Sequence, residues 1–92
     1  PTMNLEHSQL IGAYLHLTRR QREVTYWVQR GLSNPEVARQ LCIAPSVVAG
    51  HLTNIYAELS TYNGDDPDFR ANRYTLIRLF TGFFESHPEM IP

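Results

Sequence analysis

The chain contains no lysine. All eight of its basic residues are arginine, set against nine acids for a net charge of −1. Dedicated nucleic-acid binders usually carry a basic footprint, so total charge makes no case for such a partner. Cysteine is nearly absent as well: the single Cys42 excludes an internal disulfide and a cysteine-based metal cluster, and fits a reducing cytosol. No apolar run approaches the roughly 20 residues that span a bilayer, and no basic-then-apolar leader pattern opens the sequence. The expected setting is cytoplasmic, with no membrane partner.

Catalytic patterns are missing too. The four histidines (His7, His16, His51 and His87) are scattered without an i, i+4 pair or an acid-bearing metal motif. There is no nucleophile elbow, phosphate-binding glycine loop or paired-carboxylate pattern. The sequence therefore predicts neither an enzyme nor a metal or cofactor site.

At 92 residues, 42% hydrophobic and 18% charged, the composition is that of one small globular domain spanning residues 1–92. Its charge is uneven. Residues 1–43 hold five Arg against three Glu, residues 44–63 hold only Glu58, and residues 64–92 hold three Arg against five acids. If nucleic acid is bound, the first half supplies most of the attraction.

Helix punctuation is dense and strand patterning weak. Leu10, Ile11, Tyr14 and Leu15 form an apolar stripe that predicts a short helix over residues 4–16. Thr18 followed by Gln21 is a capping-box pattern, predicting a helix to Arg30 that buries Val24, Trp27 and Val28 and stops at Gly31. Ser33 and Glu36 repeat the box, with Pro35 in the first turn of a two-turn helix carrying Val37, Ala38 and Leu41. The turn Cys42-Ile43-Ala44 then leads to Pro45, which opens a third helix over 45–59. There Val48, Leu52, Ile55 and Leu59 share one stripe. Cys42 reads as a small core residue. Residues 60–68 read as a loop, in which Asp65, Asp66 and Asp68 serve as turn and N-cap residues. A last helix is expected from Pro67 or Asp68 towards His87, carrying Phe69, Leu76, Ile77, Leu79, Phe80, Phe83 and Phe84.

A two-turn helix, a three-residue turn and a longer amphipathic helix make a helix-turn-helix by spacing. The wording is more specific: LTRRQREV at 17–24, GLSNPEVA at 31–38 and HLTNIYAEL at 51–59 together resemble the LuxR-type (GerE/FixJ-type) DNA-binding domain of bacterial transcription regulators. The resemblance implies an all-α fold: a compact four-helix helix-turn-helix domain over 17–63, with an additional N-terminal helix in 1–16 and an extended C-terminal helix in 64–92. It further implies double-stranded DNA as partner, helix 45–59 as the recognition helix, and a last helix used for dimerisation. Family members often carry a sensory or receiver domain upstream.

Several positions depart from the family pattern. Pro35 stands where a cation is favoured after Ser-Asn, and Ala44 where Ser or Thr opens the recognition helix. Val47-Val48-Ala49 replaces Thr-Val-Lys, and Glu58 replaces a Lys. Gly64 follows Asn63 where an Arg is typical, with Asn72-Arg73 a displaced candidate for that pair. The candidate DNA contacts are Arg19, Arg20, Arg22, Arg39, Ser46, Val47, Gly50, His51 and Asn54. Several have a second reading. The arginines could form a solvated face with local ion pairs, His51 could hydrogen-bond within the domain, and Val47 could pack on protein rather than on a thymine methyl. Leu76, Leu79, Phe80, Phe83 and Phe84 spread around more of the last helix than one small core should cover, which predicts a homodimer interface. The alternative is a degenerate helix-turn-helix, with weak or no DNA binding, that serves as a dimerisation or protein-interaction module.

Overall fold

Two reciprocal capping boxes set the frame of the structure. In a computed structural model, which describes residues 7–62 and 70–92, Thr18 Oγ1 accepts from the Gln21 N–H at 3.2 Å while the Gln21 side chain accepts from the Thr18 N–H at 2.9 Å. Ser33 and Glu36 repeat the exchange at 3.3 and 2.8 Å. Each box satisfies backbone donors that a helix start otherwise leaves open. The described elements are α1 (His7–His16), α2 (Arg19–Gln29), α3 (Asn34–Leu41), α4 (Pro45–Thr61), α5 (Arg73–Ser86) and a closing 3₁₀ turn (Pro88–Met90). No strand occurs among the described residues, so the all-α expectation holds.

The interior is built where the apolar periodicity places it. Val48, Leu52, Ile55 and Leu59 of α4 are all buried, and α4 lies against α2 and α3. In α2 the buried set is Val24, Thr25 and Val28, whereas Trp27 is only half-buried, edge-on to Tyr26. Thr25 is tolerated inside because its hydroxyl donates to the Gln21 carbonyl at 2.9 Å. Gly31 takes φ +94° immediately after α2, where a left-handed residue ends the helix.

The expected burial of Trp27 is thus corrected, and so are three further expectations. First, α5 does not begin at Pro67 or Asp68. Arg70 to Asn72 are non-helical, and Asn72 caps the helix by accepting from the Thr75 N–H at 3.0 Å. Arg73 then donates to Asn34 Oδ1 at 2.7 Å and to the Leu32 carbonyl at 2.5 Å, pinning the start of α5 to the start of α3. Residues 4–6 and 63–69, including Gly64, the aspartate cluster and Phe69, lie outside the described residues.

Second, Cys42 is exposed rather than core. It ends α3 in the left-handed region (φ 58°, ψ 44°), its N–H still bonded to the Ala38 carbonyl, and that backbone turn carries its side chain outward.

Third, the aromatic surplus of α5 is absorbed inside the protomer. Leu76, Phe80, Phe83 and Phe84 are buried and Leu79 is half-buried. The side chain that closes them over is Tyr14 of α1, 1% exposed, whose ring lies 5.0–5.8 Å from those of Phe80, Phe83 and Phe84. Its hydroxyl donates to the Met90 carbonyl at 2.7 Å, so the N-terminal helix and the closing turn are fastened over the same cluster.

Candidate nucleic-acid interface

The helix-turn-helix corner is formed by α3, the turn 42–44 and α4. Pro35 occupies the first turn of α3 and Pro45 the first turn of α4, so both helices begin with a fixed φ and no wasted donor. Ala44 provides no side-chain cap. One face of α4 is locked into the core, and the other is presented to solvent: Ser46, Val47, Ala49, Gly50, Thr53, Asn54 and Ala57 are exposed. Val47 is 45% exposed, a large apolar side chain left uncovered at the start of the helix. The Thr53 hydroxyl is turned back onto the Ala49 carbonyl at 3.1 Å. His51 is half-buried at the margin between the two faces, as is Glu58, the only charged side chain on α4.

The arginines separate into two groups. Arg20 reaches from α2 towards the corner, donating to the Leu41 carbonyl at 3.5 Å and pairing with Glu23 at 3.2 Å. Arg39 is exposed on the last turn of α3, so these two cations flank the corner. Arg22 is committed elsewhere. It donates to the Tyr14 and Leu15 carbonyls at 3.1 and 2.8 Å, and its guanidinium lies 5.3 Å from the Tyr14 ring centroid. It thus satisfies the open carbonyl end of α1. Arg19 lines a cavity of about 310 Å³ together with Tyr14, Arg22 and the C-terminal residues 89–92.

The negative charge at the start of α3 is similarly engaged. Hydrogen bonding from the Ser33 backbone, then from its side chain, holds the Glu36 carboxyl below its usual range, so it remains an anion fixed in the cap. Arg73, expected only as a displaced family pair, proves to be the clamp between α3 and α5. No local pattern announces that role, because its partners lie 39 and 41 residues away. Among the described residues no group of His, Cys, Asp or Glu is placed to hold a metal ion, and no helix is long and apolar enough to cross a membrane.

The family described as bacterial regulatory proteins, luxR family, matches residues 15–65, more than half of the chain. The chain belongs to this family. A protein of Mycobacterium tuberculosis named as a putative HTH-type transcriptional regulator is 44% identical over 43 residues, covering 47% of this chain and 5% of that protein. The monoamine regulon transcriptional regulator of Klebsiella aerogenes is 45% identical over 47 residues, covering 51% and 21%. The uncharacterized transcriptional regulatory protein YhcZ of Bacillus subtilis is 31% identical over 74 residues, covering 80% and 35%. This luxR-family chain therefore spans at most 35% of the length of these relatives. No solved structure gives a significant match. The luxR family is one of regulators, and the all-helical corner described above is its helix-turn-helix.

Proposed function

We propose that the chain is the DNA-binding module of a bacterial transcription regulator, with α4 lying in the major groove of duplex DNA. The observation that carries this reading is the solvent face of α4, left uncovered while its opposite face is locked against α2 and α3. Arg20 and Arg39 are the cations best placed for phosphate. Affinity would then depend on few phosphate contacts, and salt would weaken binding only gently.

Ala49→Lys tests this. Position 49 is exposed, so stability should change by under ~0.5 kcal/mol. Binding to random duplex should strengthen, and the slope of log affinity against log salt should steepen by about one unit per added phosphate contact. Unchanged affinity and slope would count against α4 in the groove. The absence of any cation on α4 favours a second reading, in which the same strip packs against protein. There Ala49→Lys would weaken association and create no duplex affinity.

A homodimer remains part of the proposal, through a different face of α5 from that expected. With the phenylalanines buried, the outward side of α5 offers Tyr74, Arg78, Thr81, Gly82 and Glu85, with Tyr74 64% exposed. In an antiparallel two-fold pairing centred on Thr81 and Gly82, Arg78 of each copy faces Glu85 of the other. The small central residues let the helices approach closely. Arg78→Glu should then dissociate the dimer and Glu85→Arg in the same chain should restore it, as read by light scattering. A mass that is monomeric throughout would remove the dimer. The relatives' greater length supports a further proposal, that a sensory or receiver domain lies upstream in the full regulator.

A further inference from the structure

We infer that α4 selects A·T pairs, and does so chiefly through the thymine 5-methyl group. The inference rests on the proposal that α4 enters the major groove, and it assigns what the helix reads there. Val47, Gly50 and Asn54 fall at i, i+3 and i+7, on one line of the exposed face. At 1.5 Å per residue, Val47 and Asn54 stand about 10 Å apart along the axis, close to three base steps of about 3.4 Å. Between them Gly50 has only open space around its missing Cβ, so its hydrogen is not required by internal packing. Its effect is on the outside, where it lets the backbone approach a surface closely.

The chemistry of this line matches one kind of base pair. Guanine is read most often by Arg or Lys donating to its O6 and N7, and α4 has neither. Cytosine N4 calls for a carboxylate. The one carboxylate, Glu58, is half-buried and lies four residues beyond Asn54, near the end of the helix. The Thr53 hydroxyl is already donated to the Ala49 carbonyl. The line itself offers an exposed isopropyl group at 47, suited to the thymine methyl, and an exposed carboxamide at 54, suited to adenine N6 and N7. Both are features of A·T pairs. Apolar contact also fits a line of residues without charge, because burying a methyl needs no counter-ion.

The test uses the 92-residue chain with three short labelled duplexes at low salt, read by fluorescence anisotropy. One is alternating A·T, the second carries deoxyuridine in place of every thymidine, and the third is alternating G·C. Deoxyuridine removes the 5-methyl and leaves the base-pairing edge unchanged. Affinity should rank A·T first. Removing the methyl should cost about fourfold for each one buried. Val47→Ala should abolish most of the thymine-over-uracil ratio without altering the fold, since the side chain is exposed. Asn54→Ala should lower binding to both A·T and A·U duplexes by about fivefold or more, leaving their ratio intact. Equal binding to the thymine and uracil duplexes, or a ratio that survives Val47→Ala, would overturn this assignment while leaving DNA binding standing. Absence of binding to all three duplexes would overturn it together with the proposed function.

Discussion

Tyr14→Ala is expected to cost about 3–5 kcal/mol of folding free energy. Domains of this size hold only about 5–15 kcal/mol in total, so the variant should melt far below the parent chain. The side chain is 1% exposed and meets three phenylalanine rings of α5, so truncation opens a cavity in the middle of that cluster. It also strands the Met90 carbonyl and leaves the Arg22 guanidinium without the ring it lies over. Residue 14 lies just outside the segment that matches the family. The experiment thus asks whether α1 belongs to the cooperative unit. A loss under about 1 kcal/mol in denaturant unfolding would show that α1 is an appendage. Tyr14→Phe isolates the hydroxyl and should cost about 1 kcal/mol, the usual worth of one hydrogen bond.

The same group gives the domain an alkaline limit. Burial pushes the Tyr14 hydroxyl up to about 12, with the Arg22 charge opposing the shift. Its unfolded value is near 10, so between pH 10 and about 12 the native chain holds a proton that the unfolded chain releases. Stability from this group is fully present below pH 10 and is lost as pH rises through the native value. Burial raises the Tyr56 hydroxyl as well, so phenolate absorbance should show a late-titrating component that loses only its Tyr14 share in Tyr14→Phe.

The parts of the fold that were legible in the sequence are those whose causes are local. A capping box needs partners three residues apart, and both boxes form as Thr18/Gln21 and Ser33/Glu36 announce. The α4 stripe depends only on helical period, and all four of its residues are buried. What was not legible depends on contacts distant in sequence. The aspartate cluster read as the cap of α5, whereas Asn72 caps it, and the Arg73 bonds to Leu32 and Asn34 accompany that later start. The phenylalanines looked surplus because a helix's own pattern does not reveal which neighbours will cover it. Tyr14 lies 66 to 70 residues before them. Arg22 reads as a surface cation beside Arg19 and Arg20, yet it turns inward to the open carbonyls of α1. In the candidate interface, the outward face of α4 followed from periodicity, whereas the division of the arginines did not.

Leu52→Ala should cost about 2–5 kcal/mol, a much larger effect than any substitution on the outer face of the same helix. Leu52 is buried one turn after Val48 and just before Ile55, on the stripe that holds α4 against its neighbours. Removing its three outer carbons loses their transfer free energy and leaves a void that Val48 and Ile55, both fixed on a rigid helix, cannot fill. The consequence for binding follows from population. If only a fraction of the chain is folded, the apparent dissociation constant rises by the reciprocal of that fraction, with the folded form's own contacts unchanged. Duplex DNA should therefore raise the melting temperature of Leu52→Ala, because a ligand that binds only the folded state stabilises it by mass action. Ala49→Lys provides the contrast on the opposite side of the same turn, altering duplex affinity while leaving the melting temperature nearly fixed. A loss under ~0.5 kcal/mol for Leu52→Ala, the size typical of surface positions, would mean that the buried and presented faces of α4 had been exchanged. The reading of Val47 and Asn54 would then fall with it.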